Sequence, residues 1–274
     1  MPELPEVETI RLALKNGGRG AESILAHRVL ESCLLWERTL AEPTPQEFQE
    51  RILGQEISDV DRRGKFLLLH LSPDTLIIHL RMSGDLNVMS QSEPVAPHDR
   101  LWLGLDGDMR LAFNDTRKFG RAWLVADPKT VTGSLGPEPL AIGFTPQDFH
   151  NRLLAHRRQI KPLLLDQTFI AGLGNIYTDE ALHLAKLHPL KISNTLDETQ
   201  SKRLWSSIRQ VLQEGIERQG ASIDWVYKGG DFQNYFRVYQ RTGEPCPECG
   251  NPIQRITVGQ RGTHYCQNCQ PKPP

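Results

Sequence analysis

Two groups of residues in this chain have the types and spacing that chemistry requires. The first is Cys246-Pro247-Glu248-Cys249 and, after sixteen intervening residues, Cys266-Gln267-Asn268-Cys269. Each knuckle supplies two thiolates, and two knuckles make a tetrahedral four-sulfur zinc site. Four protein ligands leave no position for water, so the one Zn²⁺ expected here is structural. A pair of disulfides is the alternative, and it sits poorly with a chain that opens without a secretion signal. Between the knuckles, Ile253–Val258 and Gly262–Cys266 predict a hairpin with Gly259-Gln260-Arg261 at its tip. Such a hairpin is either plain scaffold or a DNA reader that presents Arg261. The remaining cysteine, Cys33, lies in the apolar run Cys33-Leu34-Leu35-Trp36 and reads as a small buried hydrophobe.

The second group is the terminus, Met1-Pro2-Glu3-Leu4-Pro5-Glu6. Proline at position two permits removal of Met1, which would leave a secondary amine at the chain end. An α-amino group titrates at about 8, far below lysine, so part of it is neutral at physiological pH. A neutral amine can attack a carbon bearing a leaving group and form an iminium. Glu3 stands beside it for proton transfer. The same residues also suit a helix start, with acids set against the helix dipole. Both readings stand at this point.

The elements that must position these groups fall into three stretches. Pro5 in a first turn, then Val7, Ile10 and Leu14, predict a helix that Gly17-Gly18 stops. Short β-runs follow at residues 65–71, 75–82, 100–105, 109–114 and 121–125, broken by Ser72-Pro73-Asp74 and by the hairpin turn Asp106-Gly107. Strands so spaced predict a sandwich or barrel. The glycines and prolines of 133–143 read as a linker. Beyond it, helices are predicted from Thr145-Pro146 and over 163–166, 178–187 and 196–218, with Ala171-Gly172-Leu173-Gly174-Asn175 too glycine-rich for a helix interior. The last forty residues predict a small β-rich metal module. The domains expected are therefore 1–132, a linker 133–150, 151–234 and 235–274.

Composition bounds the partners. The 38% hydrophobic and 24% charged residues are those of a soluble globular protein, and no apolar run is long enough for a membrane span. A cytoplasmic monomer is expected. Net charge is only −1, but residues 235–274 carry five Lys or Arg against two acids, so the rest of the chain is at −4 and the basic footprint is local.

Four motifs, Pro2-Glu3-Leu4-Pro5-Glu6, Arg63-Gly64-Lys65, Gly172-Leu173-Gly174-Asn175 and Gly259-Gln260-Arg261-Gly262-Thr263, occur in order along essentially the whole chain. Together they resemble formamidopyrimidine-DNA glycosylase. The resemblance implies a multidomain α+β fold: an N-terminal β-sandwich with flanking helices, a helix–two-turns–helix domain and a C-terminal zinc-finger hairpin. It implies base-excision repair of oxidised purines (formamidopyrimidine, 8-oxoguanine) in double-stranded DNA, with β,δ-elimination at the abasic strand through a Schiff base on Pro2. By the same resemblance Glu3 donates and shuttles protons, Glu6 organises the site, and Lys65, His98, Asn175 and Arg261 contact phosphate. Met82, Arg117 and Phe119 match the residues that fill the gap left by the flipped nucleotide.

Two departures accompany the match. Arg100 stands where many members have a second histidine after His98-Asp99. The segment 220–239, which corresponds to the loop covering the flipped base, is about four residues shorter than the family pattern and carries Trp225 and Tyr227. An endonuclease VIII-like glycosylase for oxidised pyrimidines is the nearest alternative, but that branch has glycine where this chain has Leu4. A non-catalytic zinc-finger DNA-binding protein is the alternative of another class, and it has no use for a proline at position two beside a carboxylate.

Overall fold

A computed structural model describes residues 1–222 and 229–273; Trp225 and Tyr227, of the segment expected to cover the flipped base, lie outside them. The chain forms two compact units, Met1–Ser134 with Ala221–Gly230, and Leu135–Gly220 with Asp231–Pro274.

In the first unit, α1 (Leu4–Asn16) buries Val7, Ile10 and Leu14 on one face and ends at Gly17, whose φ of +80° halts it. The strands follow in order: β1 (Val29–Leu34) and β2 (Leu40–Glu42), then α2 (Pro45–Ile52), β3 (Asp59–Arg63), β4 (Phe66–His70), β5 (Thr75–His79), β6 (Gly84–Ser90), β7 (Asp99–Leu105), β8 (Met109–Asp115), β9 (Arg121–Val125) and the short α3 (Lys129–Thr132). They build two sheets, β2-β9-β5-β4-β3 and β1-β7-β8-β6. Side chains alternate between faces along a strand, so Leu67, Leu69, Ile78 and Leu124 of one sheet share a core with Leu86, Leu103, Leu111 and Phe113 of the other and with α1. The outward-facing Leu68, Ile77 and Val125 make a separate small cluster. This is the expected sandwich.

Some elements were not anticipated. β1 is an edge strand, irregular between Val29 and Glu31 and half polar, so it lacks a clean alternation. α2 did carry a signal: Thr44 caps it by accepting the Glu47 N–H, and Pro45 is its first residue. Cys33 departs from the expectation too. On that edge strand it is half-buried, with burial and then Glu31 raising its thiol pKa, which keeps it inert.

The second unit is mainly helical. Thr145 and Asp148 exchange reciprocal hydrogen bonds to start α4 (Pro146–Leu154). α5 (Ile160–Leu165) and α6 (Asn175–Leu184) each begin three residues earlier than the apolar pattern predicts. α7 (Glu198–Glu217), capped by Asp197, turns Leu204, Ile208, Val211 and Leu212 inward. Gly215 lets it approach α6: a Cβ there would lie 2.5 Å from the Tyr177 ring. The final hairpin, β10 (Gln254–Val258) and β11 (Arg261–Tyr265), belongs to this unit. Val258 pairs with Arg261, so the turn is the two residues Gly259 and Gln260, with φ of +54° and +63°. Arg261, expected within the tip, is therefore the first residue of β11, one place past the two-residue turn, and it is exposed.

Candidate functional site

Pro2 is buried at the start of α1, next to Glu3 and Glu6, each only 2% exposed. Glu6 turns back one oxygen to the Glu3 N–H at 2.7 Å and takes the Ala221 N–H on the other at 2.8 Å. Its carboxylate thereby fixes the backbone that carries Glu3 and ties it to the main chain at Ala221. Two residues on, Glu8 binds Arg11 (2.6 Å) and Arg62 (3.0 Å). Burial works to raise its pKa, but the two guanidinium groups win and hold the carboxyl below the ordinary range. Arg62 also donates to the Gly64 carbonyl at 2.9 Å, so α1 and the β3–β4 turn bearing Lys65 are linked. Lys65 is not a solvated strand residue: it sits in that turn, buried.

At the end of β5 the buried His79 accepts the Arg81 N–H at 3.0 Å, and burial first, then Arg81 and Lys65, hold its pKa down to about 3. The neutral ring therefore fixes the turn leading to Met82 at any physiological pH. Met82 and Phe119 are 40% and 48% exposed, and the Arg117 guanidinium stacks over the Phe119 ring at 5.1 Å. As core residues they would be buried; instead an apolar and cationic cluster faces outward. The two turns that carry the three residues are joined by Ser83, whose Oγ takes the Arg117 N–H at 3.1 Å. His98 is exposed nearby, its Nδ1 3.3 Å from Arg100, whose Nε is fastened to the Asp115 carbonyl at 2.7 Å. Arg100 thus has a structural duty beside His98.

In the second unit Gln167 pins the glycine-rich turns before α6: it accepts the Gly172 N–H (2.9 Å) and donates to the Leu173 carbonyl (2.8 Å). Gly172, at φ +90°, needs to be glycine. Asn175, the first residue of α6, donates to the Gly262 carbonyl at 3.1 Å, and Lys161 reaches the same oxygen at 3.1 Å. Lys161 is wholly buried and paired with Asp179 at 2.6 Å, while Asp179 also takes the His264 N–H at 2.9 Å. These contacts seat β11 on α5 and α6 and bring Arg261 close to Asn175 at the start of α6. Glu180, fully buried, accepts the N–H groups of Arg237, Val238 and Tyr239 and so anchors the approach to the zinc module. Neither Lys161 nor Glu180 carries a motif that announces it; only their burial does.

The four cysteine sulfurs lie within 4.8 Å of one another, with Cys246–Cys269 at 3.9 Å and Cys249–Cys266 at 3.5 Å. Zinc–sulfur bonds of ~2.3 Å at tetrahedral angles require edges of about 3.8 Å, so the set fits one Zn²⁺. His183 places Nε2 3.4 Å from the Cys246 sulfur, and burial lowers its pKa to about 4. A neutral ring donating to a ligand thiolate orients it from the second layer.

Comparison with known proteins agrees with this layout. Residues 1–122 match the model of the formamidopyrimidine-DNA glycosylase N-terminal domain, 135–226 its H2TH domain, and 243–272 a zinc finger found in FPG and IleRS. The chain is 42% identical to formamidopyrimidine-DNA glycosylase of Protochlamydia amoebophila over 99% of this chain and 100% of that one. It is 46% identical to the Chloroflexus aurantiacus protein of the same name over 98% of each. Among solved structures, MutM in complex with carbocyclic 8-oxo-G containing DNA superposes with a TM-score of 0.90 at 38% identity, covering 99% of this chain and 100% of that one. A Lactococcus lactis FPG mutant bound to Fapy-dG containing DNA gives 0.91 at 38% identity with the same coverage.

Proposed function

The chain belongs to the formamidopyrimidine-DNA glycosylase family, and on that footing we propose that it excises oxidised purines from duplex DNA and then cleaves the abasic strand. The observation that carries this reading is the buried Pro2 with Glu3 beside it and Glu6 holding the Glu3 amide. Once Met1 is gone, the Pro2 nitrogen attacks C1′ of the damaged nucleotide and the base leaves with its bonding electrons. Glu3 protonates the ring oxygen as the sugar opens to the iminium. That cation acidifies C2′: loss of a C2′ proton expels the 3′ phosphate, and loss of a C4′ proton from the conjugated iminium then expels the 5′ phosphate. Hydrolysis of the imine returns the amine. Lys65, His98, Asn175 and Arg261 bind phosphates around the lesion. The relatives crystallised on 8-oxo-G and Fapy-dG DNA support the choice of substrate. Parallel assays on duplexes carrying 8-oxoguanine, formamidopyrimidine or an oxidised pyrimidine test it, and a clear preference for the pyrimidine would overturn the purine assignment.

Zinc fits the four-cysteine set and supplies folding energy to the hairpin, with no open position for chemistry. The hairpin presents Arg261 to DNA. Arg261→Ala is expected to weaken binding and to make the slope of log affinity against log salt shallower by about 1, as loss of one phosphate contact requires. An unchanged slope in a salt titration would take Arg261 off the backbone.

The exposed cluster of Met82, Arg117 and Phe119 serves to extract the nucleotide and fill the gap. Flipping costs about a few kcal/mol, and least where the base is already absent. Phe119→Ala is therefore expected to lower single-turnover excision of 8-oxoguanine strongly and cleavage of a preformed abasic site only modestly. Arg117→Ala is expected also to blur discrimination by the opposite base. Equal losses for Phe119→Ala on both duplexes would remove it from the wedge.

A further inference from the structure

Asp115 closes β8 at a point where every exposed DNA-facing candidate of the first unit converges. Its main-chain N–H donates to the His98 carbonyl at 2.9 Å, and its carbonyl takes Arg100 Nε at 2.7 Å. Its side chain is 1% exposed. One carboxylate oxygen accepts the Ser83 hydroxyl and the Arg117 N–H (3.2 Å); the other accepts the Gly120 N–H at 2.7 Å. Ser83, 2% exposed, follows Met82 directly, while Arg117 and Gly120 flank Phe119. Strand register supports the same meeting point, since Gly84 pairs with Asp115. The Phe113 ring then fills the space between the two turns: a Cβ on Gly84 or Gly120 would lie 2.8 or 2.3 Å from it. Lys118, inside the loop, holds a φ of +60°, so the loop is a fixed turn and not an extended span.

We infer that the buried Ser83–Asp115 pair is a positioning device which locks the Met82 turn to the Arg117–Phe119 loop, so that the three side chains enter DNA as one preformed wedge. The inference rests on the extraction role given above to those three residues. A wedge does its work only if its parts are already in place, because ordering them on the DNA would subtract from the binding energy that drives flipping. A buried carboxylate accepting two amides and a hydroxyl supplies that order, and each of its bonds is charge-assisted.

Asp115→Asn keeps the shape and places an NH₂ against at least one N–H or O–H donor. It is expected to lower single-turnover excision of 8-oxoguanine by about tenfold, or about 1.4 kcal/mol. Cleavage of a preformed abasic site is expected to fall far less. Amide hydrogen exchange at Arg117 and Gly120 is expected to speed up, which reports the loop directly. Ser83→Ala, a gentler change, provides a second variant with the same ordering and smaller size. Equal losses on both duplexes, or faster exchange with excision intact, would overturn the inference. Phe119→Ala run alongside separates the two layers. If it lowers the excision-to-cleavage ratio and neither Asp115→Asn nor Ser83→Ala does, the inference alone fails. If none of the three variants lowers the ratio, the wedge reading fails and takes the inference with it.

Discussion

Protein that retains Met1, or that carries any tag ahead of Pro2, is expected to give no borohydride-trapped adduct with abasic DNA, while the processed protein gives one per chain. In the unprocessed chain the Pro2 nitrogen is a tertiary amide, with its lone pair delocalised and no nucleophilicity. In the processed chain it is a secondary amine, and an ordinary α-amino group, with a pKa of about 8, is roughly a tenth neutral at pH 7, against well under a thousandth for an ordinary lysine. Pro2→Gly keeps a primary terminal amine and is expected to impair excision and abasic cleavage together, since the nucleophile is common to both. Mass analysis of the trapped peptide locates the bond. An adduct of undiminished yield in blocked protein, or one mapped to Lys65, would put the nucleophile elsewhere.

Removal of zinc is expected to abolish DNA binding. Structural Zn²⁺ in small fingers carries about 10–16 kcal/mol of apparent binding energy, and a hairpin of two five-residue strands, though seated on α5 and α6 by polar contacts, has little apolar core of its own. Its apolar cluster is Val238, Ile253, Cys246 and Cys266, half of it ligands. A chelator, or Cys249→Ser, should therefore melt the hairpin and release Arg261. Every ligand lies in the second unit, so the β-sandwich should keep its circular dichroism signature. Metal analysis should find one zinc per chain. Full binding by metal-free protein would refute the structural assignment.

Much of this was legible in the residues. The two knuckles set ligand number and geometry by spacing alone, and the pinned sulfurs agree. The regular strands β4, β5 and β7–β9 announced themselves through apolar runs between turn residues, and only their ends shifted. What stayed hidden depends on partners distant in sequence. Ser83 and Asp115 are ordinary residue types thirty-two positions apart, and Lys161 contacts a carbonyl a hundred and one residues away. No periodicity encodes such meetings; they arise from register, as Gly84 opposite Asp115 does. β1 was missed because an irregular, half-polar edge strand has no alternation to read. The position of Arg261 slipped by one because turn length follows from two positive φ angles, and only Gly259 hinted at them.

The seat of the zinc hairpin has a consequence for how this surface tolerates change. Lys161 and Asn175 both converge on the Gly262 oxygen, a main-chain atom. A peptide oxygen is present whatever residue occupies the position, so the acceptor itself cannot be deleted by a point mutation. At that site the limit is steric: a Cβ on Gly262 would lie 3.0 Å from Arg255 Nη2, the far end of a flexible side chain. A randomised library selected for binding should therefore accept small residues at 262 yet reject most replacements of Lys161, because losing its charge leaves the buried Asp179, among the described residues, with no cation beside it but His264. The hairpin's outer residues would be free to diversify, and new sequence preferences are best sought there, with the donors beneath left alone.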